Sequence, residues 1–329
     1  MVHISVIVCC YNSEKLLKET LTHLVKQDVK DGFVYEVILV DNNSCDQTAQ
    51  VARDLWSQFK TTVCLNIIKE EKPGLSYARK TGVLASKGGI IIFCDDDNWL
   101  QVDYLQIAYG FMNSNPKVGA LGGQSEGVLE IEEPNWWHKE KLNYAVGVQG
   151  GQDGDITKRG YVWGAGLVIR SSILQRLYDI NFESLLTDRV GSELSSGGDS
   201  EICKWVLLMD YKLWYLESLR FKHYITKNRL TDEYLIKLLE GHKQAQPLLN
   251  LYNWFFYNGI FKKVNSLTLK NRGSYIKKAI KCYIRNDKSW STHCQLALGT
   301  FLKIHTDLYL ITKTYRRLSK KQLDEKNNI

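Results

Sequence analysis

Proline is scarce: 4 in 329 residues, beside only 3 methionines. That excludes a proline-rich linker protein or a collagen-like chain. No run approaches 18 consecutive apolar residues, so no transmembrane helix is expected. Met1-Val2-His3 leads straight into an apolar stretch, without a basic segment or a small-residue cleavage site, so no signal peptide is expected. None of the eight cysteines forms a CxxC pair, which excludes a zinc ribbon and a thioredoxin-type couple. The expectation is buried free thiols in a reducing compartment. No GxGxxG follows the first apolar segment and no GxxxxGK[ST] occurs, which excludes a dehydrogenase-type dinucleotide site and a P-loop. No DNA- or RNA-binding motif accompanies the positive charge, so no nucleic-acid partner is expected.

What is present is an ordinary globular composition, 44% hydrophobic and 24% charged, with net charge +7. The charge is unevenly spread. Residues 226–329 hold 20 Lys and Arg against 7 Asp and Glu, whereas residues 1–225 hold 23 against 29. Two regions, 1–225 and 226–329, are expected to do different jobs.

Within the first, apolar strands and helix-patterned segments alternate. Ile4–Cys9, Tyr35–Val40, Val63–Ile68 and Ile90–Phe93 read as strands. Helices are expected over Ser13–Gln27, after Ser44 (where Gln47 three residues on suggests a capping box) and over Leu75–Ala85. Short connections and nearly continuous apolar strands imply an α/β, doubly wound, mostly parallel sheet covered on both faces. Further strands are expected at Ala120–Gly123, Val162–Ile169 and Lys212–Leu216, and a helix at Asp199–Met209. Residues 125–160 read as a long irregular segment, with Trp136 and Trp137 as sugar-stacking platforms or as core. From Thr231 the chain reads as helical and basic.

Ligands of such sheets bind beyond the carboxyl ends of the strands. There stand Tyr11-Asn12-Ser13-Glu14, Asp41-Asn42-Asn43-Ser44, Lys69–Gly74 and Asp95-Asp96-Asp97-Asn98. Three adjacent carboxylates at a buried strand end repel one another, and burial makes their ionisation costlier still. A divalent cation such as Mg²⁺ or Mn²⁺, bridged to phosphate, would make them tolerable. The alternative is a solvated acidic turn capping the next helix.

Ile4-Ser-Val-Ile-Val-Cys-Cys-Tyr-Asn12, Val40-Asp-Asn-Asn-Ser-Cys-Asp-Gln-Thr48, Gly74-Leu-Ser-Tyr-Ala-Arg-Lys-Thr-Gly82 and Phe93-Cys-Asp-Asp-Asp-Asn98 stand in an order and at spacings that resemble the family 2 glycosyltransferases of GT-A fold. The resemblance covers about residues 3–225. It implies a nucleotide-sugar donor, usually UDP-linked, and inversion at the anomeric carbon. By the same resemblance, Tyr11, Asn12 and Glu14 line the nucleoside pocket, Asp41 bonds the base and Arg79 faces the donor. Asp95–Asp97 match the metal-binding DxD region, with Asp97 on Mn²⁺ or Mg²⁺ and Asp96 on ribose or sugar. Asp199, in Ser195–Ile202, matches the general base, and Glu201 the second acidic position. The sequence departs at Gly198, where the family commonly has Glu, which leaves a catalytically inactive nucleotide-sugar-binding module as the alternative. His223, in Arg220–Ile225, is a metal or diphosphate ligand or a structural histidine. Trp163-Gly164-Ala165-Gly166 resembles the turn beside acceptor and donor sugar.

The family also implies polysaccharide or glycoconjugate assembly, with a glycan or lipid-linked glycan as acceptor. The Gln-x-x-Arg-Trp signature of processive synthases is absent, which favours transfer of one sugar. The Gly-rich, Arg-containing N-terminal loop of nucleotidyltransferases is absent too. Residues 226–329 combine Tyr252–Phe261 with Lys262, Lys263, Lys277, Lys278, Lys281 and Arg285. Aromatic and basic residues together suit an anionic membrane surface, with a cytoplasmic, peripheral location; a helical cap with a solvated basic face is the alternative.

Overall fold

The computed structural model describes residues 1–186, 188–189, 196–258, 303 and 306–321. Strand β1 (Ile4–Cys10) is apolar on both faces because helices cover both. It pairs in parallel with β2 (Tyr35–Asp41) and β4 (Ile90–Asp95), and β2 pairs in parallel with β3 (Cys64–Lys69). Helices α1 (Leu17–Val25), α2 (Thr48–Gln58) and α3 (Leu75–Ala85) connect these strands. Ile4, Val6 and Val8 share one core with Leu17, Leu21 and Leu24 of α1 and Ala52 of α2. Ile7 points the other way, where its side chain leaves room only for Gly82 of α3. Each fully buried leucine of α1 contributes about 1.5–3 kcal/mol, more than helix propensity supplies.

Beyond β4 the sheet turns mixed. Strand β8 (Leu167–Arg170) is antiparallel to β4 and to β6 (Val118–Leu129); β6 runs parallel to β9 (Lys212–Ile225). Strands β5 (Asn98–Leu100) and β7 (Gly154–Asp155) pair antiparallel with β9. The order is β3-β2-β1-β4-β8-β6-β9-β5, with β7 also on β9. Helix α4 (Tyr104–Ser114) joins the α1 side of the sheet. Helices α6 (Ser171–Asp179) and α7 (Gly198–Leu208) meet on the other side, where Ile173 and Val206 both approach Gly119.

Several elements differ from the sequence expectation. Strand β9 continues past Leu216 to Ile225, and β6 past Gly123 to Leu129. Of the expected 162–169 strand only Leu167–Ile169 pairs, and the strand runs on to Arg170. The Ser44–Gln47 capping box does not form, because Ser44 Oγ accepts the Asn12 N–H at 3.0 Å and α2 starts at Thr48 without a side-chain cap. Segment 125–160 holds the end of β6, the short helix α5 (Trp137–Glu140), a 3₁₀ turn and β7. Cys10, Cys94 and Cys203 are buried thiols, and burial pushes Cys9 up to about 12. Cys45 and Cys64 are exposed, contrary to expectation, because they lie on the loop after β2 and on edge strand β3. Cys282 and Cys294 lie outside the described residues.

The β6–β9 register shifts between Gly122 and Gln124. A Cβ on Gly123 would stand 1.7 Å from the Leu219 carbonyl oxygen, a backbone atom that cannot swing aside. Gly123→Ala is therefore expected to destabilise the fold by about 2–3 kcal/mol, read as a lower urea midpoint at unchanged m.

The chain divides into two compact units, Met1–Ala245 and Gln246–Ile329, whereas the sheet itself ends with β9 at Ile225. Helix α8 (Asp232–Asn258) carries Pro247. In the second unit Leu248, Leu251, Tyr252, Phe255, Leu308, Ile311 and Leu318 are buried, and the Phe255 and Tyr315 rings meet edge to face. No described helix is long and apolar enough to cross a membrane. Lys262, Lys263, Lys277, Lys278, Lys281 and Arg285 lie outside the described residues.

Candidate active site

The carboxyl ends of β1–β4 share one rim, and hydrogen bonds tie its loops together. Asn12 has φ +55°, a left-handed conformation that Asn tolerates better than most residues. Its side-chain oxygen accepts the Cys45 N–H at 2.9 Å. Glu14 accepts the Gln47 N–H at 3.0 Å, and its own N–H donates to Asp46. Asp41 accepts the Ser44 N–H at 3.1 Å. Asn12, Glu14 and Asp41 are thus braces of the first two loops, while Tyr11 is exposed beside them. Asn42, which the sequence did not single out, fastens the third loop. It donates to the carbonyls of Glu70 and Lys72 and accepts the Gly74 N–H at 2.8 Å.

The fourth loop carries the charge. Asp97 is buried, and its Oδ1 lies 3.3 Å from His223 Nε2 and accepts from Asn98 Nδ2 at 2.9 Å. Its Oδ2 accepts from Arg229 Nη1 at 2.5 Å. The β5–β9 pairing sets Asn98 opposite His223, which brings the histidine onto the acidic turn. Burial alone would raise the Asp97 pKa, but His223 and Arg229 outweigh it and hold the carboxyl well below the usual range. Asp96 accepts from the Ser13 hydroxyl, and burial with the neighbouring Asp97 charge pushes it up to about 7. Asp95 is raised by burial and Asp97 as well. Arg229 was missed from sequence, being 132 residues away on a 3₁₀ turn after β9.

A second cluster adjoins the first. Arg79, buried on α3, pairs through Nη1 with Asp188 Oδ2 at 2.8 Å. Asp199, in the first turn of α7, accepts the Gly164 N–H at 2.7 Å through Oδ2 and the Ser200 N–H through Oδ1. Trp163, Gly164 and Ala165 form the turn before β8. A Cβ on Gly164 would stand 2.8 Å from Arg79 Nη2 and 3.1 Å from Asp199 Cβ, so only glycine lets this backbone pass between them. Glu201 does not share the cluster. It is 1% exposed and accepts the N–H groups of Leu185 and Leu186 and the Ser184 hydroxyl, because two residues along the helix, about 200° round its axis, turn it away from Asp199 into the protein. Trp137 is core, packed on Tyr144, and Trp136 stacks on Tyr144 while donating to Asp232.

Residues 5–177 match the sequence profile of Glycosyl transferase family 2. The chain belongs to that family. It is 23% identical over 258 residues to glycosyltransferase GlyA of Streptococcus pneumoniae, a match covering 75% of this chain and 34% of that protein. The chain thus spans about a third of that relative's length. In fold it resembles Staphylococcus aureus TarS residues 1–349 in complex with UDP-GlcNAc (TM-score 0.56, 20% identity, 98% of this chain and 92% of the other). It also resembles the mannosyltransferase PcManGT of Pyrobaculum calidifontis in complex with GDP-Man and Mn²⁺ (TM-score 0.51, 17% identity, 96% and 84%). These likenesses establish the GT-A type of fold.

Proposed function

We propose that this family 2 protein is an inverting, non-processive glycosyltransferase. It moves one sugar from a nucleotide-sugar, read as UDP-linked, to a hydroxyl of a glycan or lipid-linked glycan. One observation carries the reading: an acidic turn with basic partners and a carboxylate at a helix start stand near one another at the strand ends, with Arg79 between. Burial and mutual charge raise Asp95 and Asp96, and the coulombic effect of Arg79 works against that rise at Asp95. The solved relatives with UDP-GlcNAc and GDP-Man support the donor class.

In this reading Tyr11, Asn12, Glu14 and Asp41 shape the nucleoside end, and Asp96 meets the ribose or the sugar. The hard carboxylate oxygens of this turn, where burial and mutual charge raise Asp95 and Asp96, fit a divalent cation. Among the described residues no group of three His, Cys, Asp or Glu side chains stands placed to hold a metal ion. In this reading Asp97, with Asp95 or His223 as a second ligand, would hold Mn²⁺ or Mg²⁺, which would supply charge neutralisation for the leaving diphosphate. Asp199 takes the proton from the acceptor hydroxyl as it attacks the anomeric carbon from the face opposite the diphosphate. The Trp163–Ala165 turn brings backbone up to the reacting sugars. The basic region 226–329 would meet an anionic membrane surface on the cytoplasmic side, where a lipid-linked acceptor lies.

The test is thermal unfolding with UDP, GDP, CMP or dTDP, each with Mn²⁺ or EDTA. UDP with Mn²⁺ at 100 times its dissociation constant is expected to add about 2.7 kcal/mol, a clear rise in Tm. No shift with any nucleotide in folded protein would overturn the donor reading. A UDP shift without turnover of any donor would favour the inactive binding module.

A further inference from the structure

We propose that Asp188 is the positioning residue of this site: its carboxylate fills the space that a side chain at residue 198 would take, and there it fixes both the start of α7 and Arg79. The inference deepens the transferase reading and rests on it. Three observations converge. A Cβ on Gly198 would stand 2.1 Å from Asp188 Oδ2 and 2.6 Å from its Cγ, so the carboxylate occupies that volume. Asp188 Oδ1 accepts the Gly198 N–H at 2.7 Å, one of the donors that a helix start leaves without an intrahelical partner. Asp188 Oδ2 takes the Arg79 guanidinium at 2.8 Å, with both side chains 6% exposed. The backbone is committed too: Asp188 has φ +54°, a conformation that costs a non-glycine residue free energy and persists when its surroundings demand it.

The consequence falls on Asp199, the next residue after Gly198. With the Gly198 N–H held, the first turn of α7 is fixed and Asp199 Oδ2 is aimed at the Gly164 N–H. Arg79 Nη2 stands on the same glycine, with Asp199 close to it on that side. Asp188 therefore also keeps the guanidinium from turning onto the base and tying up the oxygen that must receive the proton. Gly198 is then no sign of a lapsed site. The carboxylate reaches the same space from a neighbouring loop, and glycine at 198 is what admits it.

The test uses the full chain, Mn²⁺ and hydrolysis of UDP-GlcNAc, UDP-glucose and UDP-galactose without acceptor, with thermal unfolding alongside. Asp188→Asn keeps the shape and an oxygen for the Gly198 N–H but leaves Arg79 without its counter-charge. It is expected to lower kcat about 30-fold or more, with KM for the donor within about threefold; Tm should fall as well, since Arg79 is left buried without its ion pair, so kcat is read on protein shown to be folded. Gly198→Glu alone collides with Asp188 and is expected to lose about 100-fold or more in kcat. The double variant Asp188→Gly/Gly198→Glu removes the collision and returns a carboxylate to the same space, and is expected to recover to within about tenfold of wild type. A purely structural aspartate would not be rescued from a second position. Wild-type kcat in Asp188→Asn, or a folded double variant no better than Gly198→Glu, would overturn the inference alone. A wild type inert on all three donors and not stabilised by UDP would overturn the transferase reading, and this inference with it.

Discussion

Asp199→Asn is expected to lower sugar transfer by about 10²–10⁴-fold in kcat, the range in which a positioned general base acts. The substitution isolates basicity from architecture. Asparagine keeps one oxygen, which can stay on the Gly164 N–H at 2.7 Å, and sets its NH2 against the Ser200 N–H, so one of the two local hydrogen bonds is lost while the side-chain shape is kept. Tm should fall by only about 2–4 °C, the cost of one hydrogen bond worth about 1 kcal/mol, far less than the loss in rate. KM for the donor should hold, since an interaction made only while the acceptor proton moves lowers kcat and kcat/KM together. The UDP-dependent shift in Tm should survive as well. Transfer at the wild-type rate in Asp199→Asn would remove this carboxylate from the chemistry.

The parallel half of the sheet was legible because strands buried on both faces need nearly unbroken apolar sequence. The rim followed from topology: parallel strands end on one side, so Asn12, Asp41 and Asp95–Asp97 had to assemble there. The mixed half was harder to see. Strand β9 alternates buried and exposed positions through Glu217, Arg220, Lys222 and His223, and so lacks the apolar run that marks β1. Its reach to Ile225 is set by pairing with β6 and β5. Contacts across long sequence distances were invisible. Arg79 meets Asp188 across 109 residues, and Asp97 meets Arg229 across 132. Each ion pair was half seen, its conspicuous member flagged and its partner passed over as one charge among many. Ser44 shows the opposite error. A local capping pattern lost its serine to a tertiary donor, Asn12.

Asp97→Ala should cost stability as well as function, and the two losses separate. The carboxylate lies between Arg229 and His223 in buried surroundings. Removing one member of a buried pair strands the other, at a cost of about 3–5 kcal/mol. Burial opposes the charge on Arg229, and Asp97 is the leading influence that restores it, so the stranded group is the arginine. Asp97→Ala is therefore expected to lower the urea-extrapolated stability by about 3 kcal/mol or more. Arg229→Ala in the same background should return most of that loss, because it removes the stranded charge; a double-mutant cycle reads the coupling directly. Function should not return with it. The UDP shift that depends on Mn²⁺ is expected to be absent in both variants, since neither offers the Asp97 oxygens to a cation. If the double variant regained the Mn²⁺-dependent shift, the cation would bind elsewhere on the rim. If Asp97→Ala lost no stability, Arg229 would have to find another anion, and Asp95, pushed up by burial and by Asp97 itself, is the carboxylate set free to ionise.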